Sequence, residues 1–365
     1  MSSIPKTIKA WTISGTNGFD SLKLNEQVPV PEVSDYEVLV KFHAASLNYR
    51  DLIIPKGLYP FALADNIVPG SDGAGEVISV GPKVTRFKPG AKVVTLFNQG
   101  HLGGSLNPQT YATGLGGVID GTLRQYGTFN ENGLVDMPPS LNWQEASTLS
   151  CAALTAWNGL YGLKPVKPGD VVLTQGTGGV SIFAVQFAKA AGAKVISTTS
   201  SAKKAEVLKK LGADEVINYK EVTEWGEKAK SLTTGGEGVD HIIEVGGTTT
   251  MEQSLKAIKI DGVISIIGFL GGNGEKQPSF LDALLKLCTV RGILVGNRIQ
   301  FEEMNRAIEI NKIKPVVDEK VFSLDELKEY GGFLFPRLYI LLTEVRAYQY
   351  MWDQKHLGKL TIKIE

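Results

Sequence analysis

Between residues 145 and 296 the apolar positions fall into short unbroken runs, separated by longer stretches with helical spacing. The runs are Val171–Thr174, Val195–Thr199, Val216–Asn218, His241–Val245, Val263–Ile267 and Val290–Val295. The stretches between them include Val180–Ala191, Lys203–Leu211, Thr250–Ile258 and Phe280–Leu287. A run without polar alternation marks a strand buried on both faces, as in a parallel sheet. A repeat of roughly 20–25 residues is the length of a strand plus its crossover helix. Six such runs predict a doubly wound α/β sheet over 141–296.

Residues 1–140 have a different texture. β-rich runs (Glu37–Phe42, Gly75–Val80, Lys92–Phe97) alternate with the turn clusters VGPK at 80–83 and KPG at 88–90 and with a glycine-rich region from 100 to 121. That punctuation predicts an irregular β-barrel-like domain. From 297 the chain is mixed, with a helix near Phe301–Asn311, a strand near Lys320–Phe322 and a closing alternating strand Leu360–Ile364 suited to pairing back into the first domain. Ser323-Leu-Asp-Glu326 is a capping box. The helix it should start meets YGGFLFPRLYILLTEVR at 330–346. With those residues skipped, FSLDELKE joins AYQYMWDQ as one amphipathic helix carrying Leu324, Leu327, Tyr348 and Met351 on a common face. The segment therefore reads as an insertion, either a natural surface excursion or an unremoved intron.

Composition narrows the functional classes. Lys plus Arg and Asp plus Glu both total 38, so no basic excess points to nucleic acid or an anionic membrane. Two cysteines, Cys151 and Cys288, with no CxxC, exclude a disulfide framework and a four-thiolate zinc site and suit a reducing compartment. The most apolar stretch, 333–345, is interrupted by Pro336 and Arg337 and is too short to span a bilayer. The opening residues lack the apolar core of a signal peptide. Cytoplasmic placement is the expectation.

The first α/β strand runs into Gln175-Gly176-Thr177-Gly178-Gly179-Val180-Ser181 and then a helix. Gly176 permits the tight turn, Gly178 lets backbone approach a pyrophosphate, and the helix start supplies unpaired N–H groups. Ser181 stands where a third glycine is usual. At the end of the second strand, where an Asp or Glu would hold a ribose 2′-hydroxyl, the chain has Ser197-Thr-Thr-Ser-Ser-Ala-Lys-Lys204. Hydroxyls at Ser200 and Ser201 with Lys203 or Lys204 complement a 2′-phosphate instead, so NADPH is the expected cofactor.

His43-Ala-Ala-Ser-Leu-Asn-Tyr-Arg-Asp51, Lys56-Gly-Leu-Tyr-Pro60, Pro69-Gly-Ser-Asp-Gly-Ala-Gly-Glu76, VGPKVTRFKPGAKV (80–93) and Ala153-Leu-Thr-Ala156, with the nucleotide loop, resemble the medium-chain dehydrogenase/reductase superfamily. The nearest likeness is its zinc-free branch, around quinone oxidoreductase and the zinc-type alcohol dehydrogenase-like proteins. The resemblance implies a GroES-like catalytic domain from both chain ends (1–140 and 297–365), a Rossmann domain between them, and cofactor in the interdomain cleft. The positions matching the catalytic zinc ligands are Asn48, Ser71 and Cys151. One ligand of three does not hold Zn²⁺, and the four-cysteine structural lobe is absent, so no metal is expected and Cys151 reads as a packed thiol.

Without a Lewis acid a conjugated acceptor is the easier substrate, because hydride delivered to an enone or quinone spreads charge onto a delocalised enolate that hydrogen-bond donors can stabilise. The resemblance places Tyr59, Tyr49 and Asn48 near the nicotinamide, each tyrosine serving in catalysis or as a packed shelf. It also assigns to the cofactor Asn48, Thr155, Tyr219 beside the adenine ribose, Gly246, Gly268 and Phe269 facing the nicotinamide, and Lys359 of the Gly358-Lys359 pair. Arg50 and Asp51 are expected to brace the loop by ion pairing. Three readings stay open: an NADPH-dependent reductase of quinones, enones or activated carbonyls; a zinc-free carbonyl reductase or alcohol dehydrogenase acting on ordinary ketones; and a nucleotide-binding protein with little turnover. The apolar run Val290–Val295 at a sheet edge predicts a homodimer pairing there.

Overall fold

The structure, a computed structural model, describes residues 4–268, 278–328 and 346–365. It divides into two compact units, Met1–Cys151 with Asn297–Glu365, and Ala152–Gly296. The N-terminal boundary lies after Cys151 rather than at 140, because the helix Trp143–Ser147 packs on the first unit's sheet and the Ser147 carbonyl accepts from Ser46 Oγ at 3.2 Å.

The first unit opens with an antiparallel pair, β1 (Thr7–Ile13) and β2 (Leu22–Pro29). Its main sheet follows from β3 (Glu37–Ser46), β4 (Asp72–Val80), β5 (Lys92–Thr95), β6 (Tyr126–Asn130) and β7 (Leu134–Asp136). The ten-residue β3 serves two partners along one edge: Glu37–Lys41 pairs with β6, and Ala44–Ser46 is left for the end of the chain. Trp11, Phe42, Leu47, Leu52 and Leu134 form the dry interior beneath it.

The second unit is one six-stranded parallel sheet: β8 (Val171–Gln175), β9 (Lys194–Thr199), β10 (Glu215–Asn218), β11 (Val239–Glu244), β12 (Ile258–Ile266) and β13 (Thr289–Gly292). Their spatial order is β10-β9-β8-β11-β12-β13, the doubly wound order in which the crevice opens where the chain reverses, at the carboxyl ends of β8 and β11. All six predicted runs are strands here. β12 begins at Ile258 rather than 263, extending back through Asp261 in the left-handed region (φ 61°). β13 stops at Gly292, short of the predicted 295, where Val295 is itself left-handed (φ 48°). Two further helices, Leu154–Tyr161 and Trp225–Ser231, flank this sheet beyond those the spacing predicts.

The last strands, β14 (Phe322–Ser323) and β15 (Thr361–Lys363), return to the first unit, where β15 pairs antiparallel with β3 as Thr361↔Ser46, Ile362↔Ala45 and Lys363↔Ala44. The Ser323 capping box is formed, Ser323 N donating to Glu326 Oε2 at 2.7 Å, but it opens a 3-10 turn over Leu324–Glu326 rather than an extended helix. Residues 330–345 of the apparent insertion, and Phe269, lie outside the described residues. The flanks are informative. Leu324, Leu327, Ala347 and Tyr348 enter one core, and Tyr348 N donates to Leu327 O at 3.3 Å. Counted with 330–346 removed, those two residues are four apart, the spacing of an α-helical hydrogen bond.

Candidate functional site

In the second unit the turn after β8 is built for close approach. Gly176 takes φ 74°, and a Cβ at Gly176 or Gly178 would meet no protein atom within 4 Å. Space above the turn is therefore kept open by the absence of side chains. The helix Gly179–Ala190 starts at Gly178 with no side chain capping it, so the first-turn N–H groups of Gly179, Val180 and Ser181 face that space with the helix dipole behind them. Ser181, in the third-glycine position, is buried and its hydroxyl donates to Gln175 O at 2.6 Å, closing the turn on itself. Thr177 is buried beside it.

A network missed from sequence pins this turn to the neighbouring strand. Glu244, fully buried at the end of β11, accepts from Gln175 Nε2 (2.7 Å), Gly246 N (2.9 Å), Gly247 N (2.9 Å), Thr250 Oγ1 and Ser254 Oγ. Gln175 Oε1 in turn accepts from Val245 N and Gly246 N at 3.2 and 3.3 Å. The loops at the switch point thus share one carboxylate. The signal that could have found it was a lone acidic residue ending an otherwise apolar run, where burial demands partners. Gly268 abuts this loop so closely that a Cβ would lie 2.7 Å from Val245 O.

At the end of β9 no carboxylate occurs. Ser200 is half-buried; Ser201 Oγ accepts from Lys204 N at 3.3 Å, capping the helix Ala202–Lys210. Tyr219 N donates to Thr199 O, which sets its exposed ring beside this end of the sheet. Thr155 is buried in the helix Leu154–Tyr161, which packs on Gly179–Ala190.

The first unit gathers a second group of predicted residues. Asn48, buried, precedes the short helix Tyr49–Ile53, and its backbone N–H donates to Asp51 Oδ2 at 2.8 Å. The Asn48 side-chain oxygen accepts from Lys359 Nζ, while its Nδ2 reaches Ser71 Oγ at 3.5 Å. Lys359 Nζ also donates to Leu47 O (2.8 Å) and to Asp72 Oδ2 (3.2 Å), and this ion pair is buried on both sides. Asp72 accepts further from Ser71 Oγ (2.7 Å) and Ser46 Oγ (2.9 Å). The ammonium has three hydrogens, and all three have protein partners.

Tyr59 and Cys151 complete the group. Burial raises the Tyr59 phenol above its ordinary value, opposed by the Arg50 guanidinium 5.3 Å from its ring centroid, so the hydroxyl stays protonated and able to donate. Burial pushes the Cys151 thiol up to about 12, with Asp72 adding to the rise and Lys359 and Arg50 opposing it. Tyr49 stands apart: its ring stacks on Trp352 at 6.4 Å, a packing arrangement. The expected ion-pair brace is replaced by something else. Arg50 donates from Nη1 to Leu115 O and lies over Phe97, while Asp51 Oδ2 accepts from Asn48 N; the two attract each other electrostatically without a close ion pair among the described residues. His43, on β3, stacks on Trp143 at 4.5 Å.

Comparison with known proteins decides the family. Residues 34–139 match the family described as "Alcohol dehydrogenase GroES-like domain", and residues 179–310 the one described as "Zinc-binding dehydrogenase". A zinc-type alcohol dehydrogenase-like protein of Schizosaccharomyces pombe is 46% identical over 96% of this chain and 97% of its own length. The chain is a medium-chain dehydrogenase/reductase. A 2-methylene-furan-3-one reductase of Solanum lycopersicum is 30% identical over 91% of this chain and 77% of its own. The solved structure of an NAD-dependent alcohol dehydrogenase superposes with a TM-score of 0.82 at 30% identity, covering 98% of this chain and all of that one.

As a member of this superfamily the chain is an oxidoreductase of the alcohol dehydrogenase and quinone or enone reductase type. The zinc of one family description does not fit its donor set. An amide, a hydroxyl and a thiol held protonated by burial are poor ligands for Zn²⁺. The one Asn48 atom able to ligate, its oxygen, already faces an ammonium that would repel a second cation. Among the described residues no cluster of three His, Cys, Asp or Glu could hold a metal ion. A nicotinamide dinucleotide, by contrast, fits the open turn after β8: Gly176–Val180 would take its pyrophosphate.

Proposed function

We propose that this chain is a metal-independent, NADPH-dependent reductase that delivers hydride to quinones, enones or other activated carbonyls. The observation that carries the reading is the replacement of the metal-ligand triad by a hydrogen-bonded cluster of Asn48, Ser71, Asp72 and Lys359. A nicotinamide, once bound, would supply the hydride; its transfer to an unconjugated ketone would build charge on one oxygen, which a Lewis acid stabilises well. Transfer to a conjugated acceptor spreads that charge, and preorganised donors suffice. In this reading Asn48 Nδ2 and the Tyr59 hydroxyl are those donors. Thr155, Gly246, Gly268 and Phe269 are assigned to the nicotinamide side, and Tyr219 to the adenine ribose.

The preference for NADPH rests on Ser200, Ser201 and Lys204 at the end of β9, hydroxyls and a cation where a carboxylate would select the unphosphorylated ribose. Turnover of a quinone, an enone and an aliphatic ketone, each with NADPH and NADH, tests the whole statement. The expected result is oxidation of NADPH with the first two acceptors. Rapid reduction of only the aliphatic ketone would favour the alcohol dehydrogenase reading suggested by the NAD-dependent relative. Tight NADPH binding with no acceptor consumed would favour a binding protein.

The same proposal includes a homodimer. β13 is a sheet edge, and the helix Phe280–Lys286 exposes Phe280, Leu281, Leu284 and Leu285 near it, an apolar surface of the kind a second copy covers. Sedimentation velocity should give twice the chain mass, and a Leu284→Asp variant should shift it to the monomer. No helix among the described residues is long and apolar enough to cross a membrane. Cytoplasmic placement is part of the proposal, and recovery of the protein in the cytosolic fraction is its check.

A further inference from the structure

We propose that Lys359 is a positioning residue: through its buried pairing with Asp72 it fixes the side-chain amide of Asn48 as an outward-facing donor. This inference rests on the proposed role of Asn48 against the reacting oxygen. An ammonium donates and never accepts. The Asn48 atom that faces Lys359 Nζ must therefore be its oxygen, and the nitrogen must take the other place. One Nδ2 hydrogen reaches toward Ser71 Oγ at 3.5 Å, the outer limit of such a bond, and the other is left for a ligand.

Without that constraint the amide could turn over and present an acceptor, which would repel a developing oxyanion. Asp72 secures the arrangement from behind. It holds Lys359 at 3.2 Å and takes the Ser46 and Ser71 hydroxyls at 2.9 and 2.7 Å, so the cation sits in a satisfied and electrically neutral pocket. The ammonium takes the Asn48 oxygen that a metal ion would need, and it serves orientation rather than Lewis acidity.

The test is a coupling cycle in NADPH-dependent reduction of methyl vinyl ketone and 1,4-benzoquinone. Lys359→Met alone would strand a buried Asp72 charge and risk the fold, so it is paired with Asp72→Asn, and circular dichroism and NADPH titration confirm that the pair variant folds. Asn48→Ala and the Lys359→Met/Asp72→Asn pair should each lower kcat about a hundredfold at saturating NADPH, and any change in the KM for NADPH should be the same in both. Combined, the three substitutions should be no slower than Asn48→Ala alone, since the pair acts only through that amide. Multiplying losses, or a pair variant with the parental kcat, would overturn the inference. If the parent protein reduces neither acceptor, the functional reading fails instead. A neutron structure then decides this point separately: deuterons on the Asn48 atom facing Lys359 would refute it, and their absence there supports it.

Discussion

At the scale of single residues, the site is governed by groups whose charge state is set by burial. Asp51 is the clearest. Loss of solvent raises its carboxyl to about 6, Asp72 adding to the rise while Arg50, Lys359 and the Asn48 N–H oppose it. A carboxyl raised in the folded state binds its proton more tightly there than in the unfolded chain, where it titrates near 3.8. The stability it contributes is therefore fully present below about pH 3.8 and is lost as pH rises through about 6. Urea unfolding of the parent and of Asp51→Asn should reveal this. The variant should gain up to about 3 kcal/mol relative to the parent between pH 4 and pH 7.5, and a constant difference across that range would refute it. Ser200 gives a second residue-scale outcome. Ser200→Asp supplies the missing carboxylate at the end of β9 and should move the NADPH/NADH ratio of kcat/KM by at least about tenfold toward NADH.

Elements were legible to different depths, for physical reasons. β9 and β11 are buried on both faces, so Val195–Thr199 and His241–Val245 stand out as apolar runs. β12 hides its first half behind Asp261 and Gly262, which look like a turn and are in fact part of the strand. The open glycine turn after β8 could be read directly, because its geometry is local. The Lys359–Asp72 pair could not, since the partners lie 287 residues apart and meet only through the pairing of β15 with β3. Glu244 sits between these cases. Its Glu244→Gln variant should raise the NADPH dissociation constant about tenfold or more, because one charged acceptor holding loops on both sides of the switch point is lost; unchanged binding would remove it from the site. The break at 330–346 yields a sharper outcome. With Tyr348 N already on Leu327 O, a chain lacking those residues should close one continuous helix and melt no lower than the parent. A shortened protein that is insoluble or melts markedly lower would show that the segment is integral to the fold.

For the molecule as a whole, the two units differ in how their chain is supplied. Ala152–Gly296 is contiguous, and its strands pair with their neighbours in sequence with one exception: β11 returns to β8 rather than β10 at the switch point. The other unit closes only when Thr361–Lys363 reaches β3, roughly 300 residues further along the chain. A chain stopped after Gly358 should keep slow amide exchange in β8, β9 and β11 but lose protection along Ala44–Ser46, measurable by mass spectrometry. During synthesis the central α/β unit can thus settle while the ribosome is still translating, whereas the flanking one waits for Thr361–Lys363 to emerge. A frameshift or stop just before Lys359 would spare the glycine turn after β8 yet remove the ammonium that faces Asn48, and on the proposed reading such a chain should still take up coenzyme while being unable to use it.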